Sequence, residues 1–385
     1  MINIAVIGAG AISSFHIEGY LAFPGRCRIV SVVDIDRAKA ERQIERYHLD
    51  AVAADDIGAI VSGPGADLAS VCTPPGTHAE IAARLLDAGI HTLCEKPMAP
   101  SLQDCDAILA AARRSGAVLS VVAQNRFTTS MARLKQVLDS GLAGRVLHAQ
   151  VDSHWWRGPS YYDLWWRGTW PSEGGGCTLN HAVHHIDALA WMLGPPVEVQ
   201  ASIANVAHDN AEVEDLSLAI MRFGSGALGQ LTSSLVHHGE DQRLVFQTEQ
   251  ACIAMPWAVR ASVQKANGFP QPDQATEQAL TEYYERVPAV RYEGHTGQID
   301  NVLAAIENAN ADVLVDGHQG RRTLEIITAI YKAAMTGARV TLPLDDADPF
   351  CTRDGLLAAA PRFHEKTVSV PGFADNEITV TGPPR

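Results

Sequence analysis

The stretch "INIAVIGAGAIS" (Ile2–Ser13) runs from a string of β-branched residues straight into the start of a helical pattern. Gly8 allows a tight turn, and Gly10 lets a pyrophosphate come close to the backbone. The helix that follows offers its first amides and its dipole to the anion. Ser13 stands where a third glycine is usual and is still small enough for close helix–strand packing. Asp34 ends the next strand about twenty residues on, where a carboxylate can accept the ribose hydroxyls. Gly8, Gly10, Ala11, Ile12, Ser13 and Asp34 therefore form an expected dinucleotide site for NAD. Arg37 could offset the repulsion between Asp34 and a 2′-phosphate, which leaves NADP possible.

From this stretch to about residue 124 the chain alternates short apolar strands with amphipathic helices. Examples are "RIVSVVD" (Arg28–Asp34), "THAEIAARLLDAG" and "AVLSVVAQ". Such alternation predicts a parallel sheet covered on both faces. After Asn125 a helix over about Thr129–Ser140 leads into strands that follow one another with glycine turns between them. That order predicts a mostly antiparallel sheet. Two helical patterns follow, "GQIDNVLAAIENA" and "RRTLEIITAIYKAAMTG", then a Pro-, Gly- and Asp-rich tail expected to wrap the surface or another subunit. The expected fold is an α/β Rossmann domain with a doubly wound parallel sheet (1–124) plus an α+β domain with a large, mostly antiparallel open sheet (125–345). A C-terminal extension (346–385) completes the chain.

With 385 residues the chain is long enough for two cores. Its net charge of −14 argues against a nucleic-acid partner and weakly against an anionic membrane surface. Seven scattered cysteines with no paired CxxC suit a reducing compartment. The opening residues carry neither a signal-peptide pattern nor a membrane span, so a cytoplasmic location is expected.

Three further stretches carry chemistry. "LCEKPMA" closes a strand, and strand ends face the ligand crevice in a doubly wound sheet. Lys96 is there either a solvated strand-end cation or one aimed at a substrate oxygen, where it would stabilise an alkoxide. "HWWRGPSYYDLWWRGTW" (His154–Trp170) concentrates aromatic rings with Arg157 and Arg167. It can be core, an interface, or a platform that stacks on a sugar ring. "GGGCTLNHAVHHID" (Gly174–Asp187), read as one helix, puts Asn180, His184 and Asp187 on one face and His181 and His185 on another. Zinc at His181 and His185 would need more ligands than Cys177 supplies, so no metal is expected. A base is the sharper reading, since imidazole suits proton removal from an alcohol at neutral pH. The glycines read as a close approach of backbone to substrate or cofactor.

In order and spacing, the N-terminal turn, "TPPGTHAEI" (Thr73–Ile81), "EKP", "QNRF" (Gln124–Phe127) and the glycine–asparagine–histidine stretch resemble the Gfo/Idh/MocA oxidoreductases. This is the family of glucose–fructose oxidoreductase and inositol dehydrogenase. The resemblance covers the chain as far as "ARVTLP" (Ala338–Pro343). It implies an NAD(P)-dependent dehydrogenase acting on a sugar, glycoside or anhydrosugar, with C3 oxidation as in levoglucosan and glycoside 3-dehydrogenases. It puts Lys96, His184 and Asn180 in the catalytic roles. Thr73, Pro74, His78, Glu95, Lys96 and Gln124 fall beside the cofactor. Arg126, Trp155, Arg157, Tyr162, Trp166 and Arg167, with Lys96, Asn180 and His184, fall beside the substrate. Many members carry aspartate where Asn180 stands, so His184 is expected to act without a carboxylate partner. A homodimer or homotetramer is implied, with a small-molecule carbohydrate as substrate. Redox-neutral glycoside hydrolysis and keto-sugar reduction occur on the same fold. A non-catalytic dinucleotide-binding sensor is the alternative of another class, and the joint presence of Lys96 and His184 speaks against it.

Overall fold

The computed structural model describes residues 1–63 and 65–373. Two compact units emerge. One is Met1–Phe127 with Arg291–Leu324 and Cys351–Asp354; the other is Thr128–Val290 with Glu325–Phe350 and the described residues from Gly355 to 373.

The first unit is built on β1 (Ile2–Ile7), β2 (Cys27–Val33), β3 (Val52–Ala54), β4 (Leu68–Val71), β5 (His91–Cys94) and β6 (Leu119–Val121). They pair in the order β3-β2-β1-β4-β5-β6, every pair parallel. β4 and β6 are buried at every residue, as strands covered on both faces must be. The strand order reverses beside β1, which is where a doubly wound sheet opens a ligand crevice at the carboxyl ends of its strands.

A linear division at residue 124 does not describe this unit. Helix Gly294–Glu307, expected in the second domain, packs on helix Ser13–Leu21 instead. Its Ile299, Val302 and Leu303 share one core with Ile4, Val6 and Leu68. Burying each such side chain contributes roughly 1.5–3 kcal/mol. Gly19 makes the approach possible, since a Cβ there would lie 2.5 Å from Ile299 Cδ1. Gln298 closes the end of β6: its amide donates to Val121 O (2.7 Å) and accepts from Ala123 N (3.0 Å). Periodicity reveals a helix in this segment but not the sheet it will cover.

The second unit is a nine-stranded sheet of β7 (Val146–His154), β8 (Pro196–Ala204), β9 (Leu216–Phe223), β10 (Leu228–Ser234), β11 (Gln242–Thr248), β12 (Ala251–Met255), β13 (Ala258–Gln264), β14 (Pro270–Pro272) and β15 (Val340–Thr341). The order is β14-β13-β12-β11-β7-β10-β9-β8-β15. Only β7 and β10 run parallel; the other pairs are antiparallel. β9 alternates buried and exposed residues and leaves Leu218 and Ile220 more than half exposed on the open face. Helix Gln274–Arg286, polar in composition, was not expected from the sequence; Asp273 caps it by accepting from Thr276 N. Among the described residues no helix is long and apolar enough to cross a membrane.

Candidate active site

The dinucleotide loop follows β1 directly. Gly8 has φ +92°, and a Cβ there would sit 2.8 Å from the carbonyl carbon and oxygen of Cys72. Only glycine fits. A Cβ on Gly10 would meet nothing within 4 Å, so the backbone there is open to a ligand. Ser13 is fully buried and donates to Gly10 O (2.6 Å), which secures the turn. Asp34 accepts from Ala9 N (2.8 Å) and Asp36 N (2.9 Å), so its carboxylate is fixed beside the loop. Arg37 lies one turn further on, paired with Glu41 (2.9 Å) on the surface of its own helix. Gln124 Oε1 is buried with no partner among the described residues. A glycine cradle, a fixed carboxylate and an orphaned acceptor fit a nicotinamide dinucleotide.

Lys96 follows β5 at the carboxyl edge of this sheet and is half-buried; the Lys96–Pro97 bond is cis. His78 is fully buried, with Nδ1 2.9 Å from Pro97 O and Nε2 2.8 Å from Thr73 O. It ties the turn after β4 to the turn after β5, a tethering role where a cofactor contact was expected. Burial lowers its pKa against the pull of the two carbonyls, each of which accepts from a ring N–H. Thr73 Oγ accepts from Thr77 Oγ (2.8 Å), which pins the same turn.

Sequence reasoning missed the cluster beneath Lys96. Glu95 is buried, and its Oε1 lies 2.9 Å from His16 Nε2 and 3.4 Å from His295 Nε2. His16 Nδ1 meets Ser70 Oγ (2.9 Å), which meets Tyr20 Oη (2.7 Å). Each bond in this chain is satisfied when Tyr20 donates to Ser70, Ser70 to His16 and a neutral His16 to an ionised Glu95. Burial lowers the His16 pKa against the pull of Glu95. Burial alone would raise the Glu95 carboxyl, but the bond from His16 and the His295 ring 3.4 Å away hold it well below the usual carboxylate range. Glu95 Oε2 in turn accepts from Lys96 N (3.1 Å) and fixes the lysine's backbone. The available signal was His16, one face of the first helix inward from the glycine loop. Arg126 is buried, with its guanidinium 3.4–3.5 Å from Gln319 Oε1.

The glycine–histidine stretch of the second unit is not one helix. It forms Cys177–Asn180 and Val183–Leu193, separated at His181 and Ala182. Ala182 N donates back five residues to Cys177 O (3.0 Å), a π-type turn that inserts a residue. The simple i, i+4 alignment of Asn180 with His184 is lost across it. His184 is half-buried, while His181, His185 and Asp187 are buried. Asn180 turns its amide back to donate to Gly175 O (2.8 Å) and Gly176 O (3.2 Å). Cys177 is fully buried with its thiol on Ser233 O (3.4 Å), and burial pushes its pKa up; it is no ready metal ligand. The group of metal-capable side chains found within 4.8 Å of one another among the described residues is His16, Glu95 and His295.

The glycines serve the protein interior and not a ligand. A Cβ on Gly175 would sit 2.1 Å from Tyr331 Oη, and one on Gly176 1.8 Å from Glu214 O. Glu214, fully buried, accepts from Gly176 N (3.0 Å), Thr178 N (3.0 Å) and Tyr331 Oη (2.9 Å). No local signal in the sequence announces it.

In the aromatic stretch the arginines are spoken for. Arg157 pairs with Glu240 (2.5 Å). Arg167 pairs with buried Glu173 (2.8 Å) and lies over the rings of Tyr161 (4.1 Å) and Trp166 (4.0 Å). Tyr162 is 1% exposed and packs on His208, so it is core of this unit and out of reach of a substrate here. Trp155 donates to Ser153 Oγ (3.2 Å) and meets His181 edge-on. Trp165, part of the stretch read as a candidate platform, is 57% exposed.

A 3-2-1-4-5-6 parallel sheet with a glycine cradle, joined in one chain to an open, largely antiparallel sheet, is a dinucleotide-binding architecture, and with the family matches that follow it makes the protein a nicotinamide-dependent oxidoreductase acting on CH–OH groups. The chain belongs to the Gfo/Idh/MocA family: residues 2–123 match the oxidoreductase family's NAD-binding Rossmann fold and residues 131–254 its C-terminal domain. It is 25% identical over 348 residues to an inositol 2-dehydrogenase of Rhizobium meliloti, covering 89% of this chain and 99% of that one. It is 24% identical over 306 residues to a levoglucosan dehydrogenase of Pseudarthrobacter phenanthrenivorans, covering 71% and 78%. Among solved structures, the WlbA dehydrogenase of Bordetella pertussis, in complex with NADH and UDP-GlcNAcA, matches with TM-score 0.76 and 26% identity, covering 89% and 99%.

Proposed function

We propose that the protein oxidises a secondary hydroxyl, at C3, of a sugar, glycoside or anhydrosugar, using NAD. The observation that carries the reading is Lys96 at the carboxyl edge of the Rossmann sheet, its backbone set by the buried Glu95 cluster beside the glycine cradle. His184 takes the proton from the hydroxyl oxygen, and the Lys96 ammonium stabilises the alkoxide that forms. Bound NAD supplies the hydride acceptor. Asn180 anchors the stretch that carries His184 by its bonds to the glycine carbonyls. Inositol and levoglucosan dehydrogenases among the relatives support a cyclic polyol or sugar as substrate.

Asp34 as an acceptor, with Arg37 engaged by Glu41, supports NAD over NADP. The exposed Leu218 and Ile220 on the open face of the sheet support pairing with a second copy. Ile220→Asp should give a smaller particle by light scattering.

The test is NADH formation from pyranoses, glycosides, levoglucosan and inositols. Lys96→Met and His184→Ala should each lower kcat by roughly 10²–10⁴-fold. His181→Ala and His185→Ala should retain turnover. Stoichiometric release of NADH separates this reading from redox-neutral hydrolysis. The acidic limb of the pH–rate profile should belong to His184, and a limb unchanged in the residual activity of His184→Ala would remove His184 as the base.

A further inference from the structure

We propose that the C-terminal segment Pro361–Val370 is a specificity element. It straps the aromatic loop in place, through Asn210 and Lys366, so that the loop receives the ring of a neutral sugar. The proposal rests on the sugar-oxidising reading above.

The loop from Tyr162 to Trp165 has no ladder of its own, and its backbone is satisfied by distant residues. Val370 N donates to Asp163 O (2.7 Å), and Trp165 N donates to Val370 O (2.9 Å), which makes a short parallel bridge between Leu164 and Val370. The Lys366 ammonium donates to the carbonyls of Tyr162 and Leu164. Asn210, buried, joins the two segments. Its amide group donates to Asp163 Oδ1 (2.9 Å) and Val368 O (3.1 Å), and its oxygen accepts from Thr367 N (2.8 Å) and Val368 N (2.9 Å). Trp170 Nε1 adds a bond to Pro361 O (2.6 Å). Three successive carbonyls and the amide that follows them therefore take bonds from the strap. Removing it leaves Asp163 O and Trp165 N without these partners, while Leu164 O keeps its bond from Arg167 N and Tyr162 O a 3.4 Å contact with the Asn210 amide.

What the strap holds is informative. It fixes Trp165 by its own backbone amide while the residue stays 57% exposed. An indole held this way can stack on the apolar face of a pyranose at little cost in ordering. Both arginines of the loop are neutralised in place, Arg157 by Glu240 and Arg167 by Glu173. The surface therefore offers ring faces and no uncompensated guanidinium, which suits a neutral sugar and not a sugar acid.

Asn210 and Lys366 act through the loop, so they are positioning residues. The test compares wild type with Asn210→Ala, Lys366→Met and Lys366→Arg, full length, at saturating NAD. Levoglucosan, methyl β-D-glucoside and D-glucuronate are the probes, and deuterium exchange is followed in peptides over 159–170. Expected are faster exchange there and a KM for the neutral sugars raised about tenfold in Asn210→Ala and Lys366→Met. Tenfold corresponds to about 1.4 kcal/mol. The KM for NAD and kcat should stay within threefold, and Lys366→Arg should keep the wild-type KM. Wild type should prefer the neutral sugars to glucuronate. Unchanged exchange means the strap does not hold the loop, and faster exchange with unchanged sugar KM means the loop does not read the sugar. Either result overturns the proposal alone. A wild type that oxidises no sugar at all overturns the functional reading with it.

Discussion

The dinucleotide loop and the glycine–histidine stretch both spend glycines on tight backbone, but for opposite ends. Gly8 turns against Cys72 so that Gly10 can face outward to open space. Gly175 and Gly176 turn inward, against Tyr331 and Glu214, and a buried carboxylate takes the amides that a ligand would otherwise meet. Glycine-rich sequence thus marks a close approach in both regions, and only the partner distinguishes a binding site from a packing site.

The sharpest way to break this comparison is to add one methyl to each. In Gly176→Ala the Cβ would overlap the Glu214 carbonyl oxygen, which is backbone and cannot swing away. The expected cost exceeds ~4 kcal/mol, among the largest for single substitutions. The protein should be insoluble or melt far below wild type in a thermal scan. Gly8→Ala meets backbone at a longer 2.8 Å with φ +92°, so a strained but folded protein is expected, destabilised by about 1–3 kcal/mol. Its loss should appear in NADH fluorescence titration as an affinity reduced at least tenfold. If Gly176→Ala folds normally and Gly8→Ala binds NADH as well as wild type, the contrast fails.

A smaller effect tests the outward-facing side. Asp34→Ala removes the acceptor for the ribose hydroxyls and the bond from Ala9 N. Roughly a tenfold rise in the KM for NAD is expected, together with a relative gain for NADP as the repulsion of its 2′-phosphate disappears. No change in the ratio of the two cofactors would mean that Asp34 does not read the ribose.

The two regions also differ in how far the sequence revealed them. The dinucleotide loop rests on backbone in regular elements a few residues apart, so the turn at Gly8, the small buried Ser13 and the Asp34 carboxylate beside it were legible from spacing alone. The parallel and antiparallel sheets were likewise legible, because apolar runs and alternation follow directly from which faces are covered. The Glu95 cluster needs His16 and His295, brought together only by the tertiary packing of helix Gly294–Glu307. Arg167 looked like a free sugar ligand because its partner Glu173 reads as an ordinary acidic residue in sequence. The break between Asn180 and His184 hangs on a single five-residue turn, and no periodicity argument resolves one inserted residue.

Buried histidines give the finest test. His16 is paired through both ring nitrogens, whereas His185 is buried and its Nδ1 has no partner among the described residues. Burial, with His154 nearby, lowers the His185 pKa to about 4 from its ordinary 6.5. Between those values the unfolded chain binds a proton that the folded one refuses. Stability from this group is therefore full above about pH 6.5 and is lost as pH falls toward 4. At about 1.4 kcal/mol per pH unit the total approaches roughly 3 kcal/mol as an upper bound. Burial also lowers the pKa values of His16, His78, His91 and His154, so the wild-type slope contains more than one proton and only a difference isolates His185. His185→Leu fills a similar volume and removes the unpaired nitrogen. Urea unfolding at pH 7.5 should change by no more than about 1 kcal/mol, the scale of one hydrogen-bonding group. At pH 5 the variant should be more stable than wild type by about 1–2 kcal/mol, since it has no proton to take up. Equal acid slopes in the two proteins would mean that His185 has found a partner or a path to water, and its burial would no longer set it apart from His16.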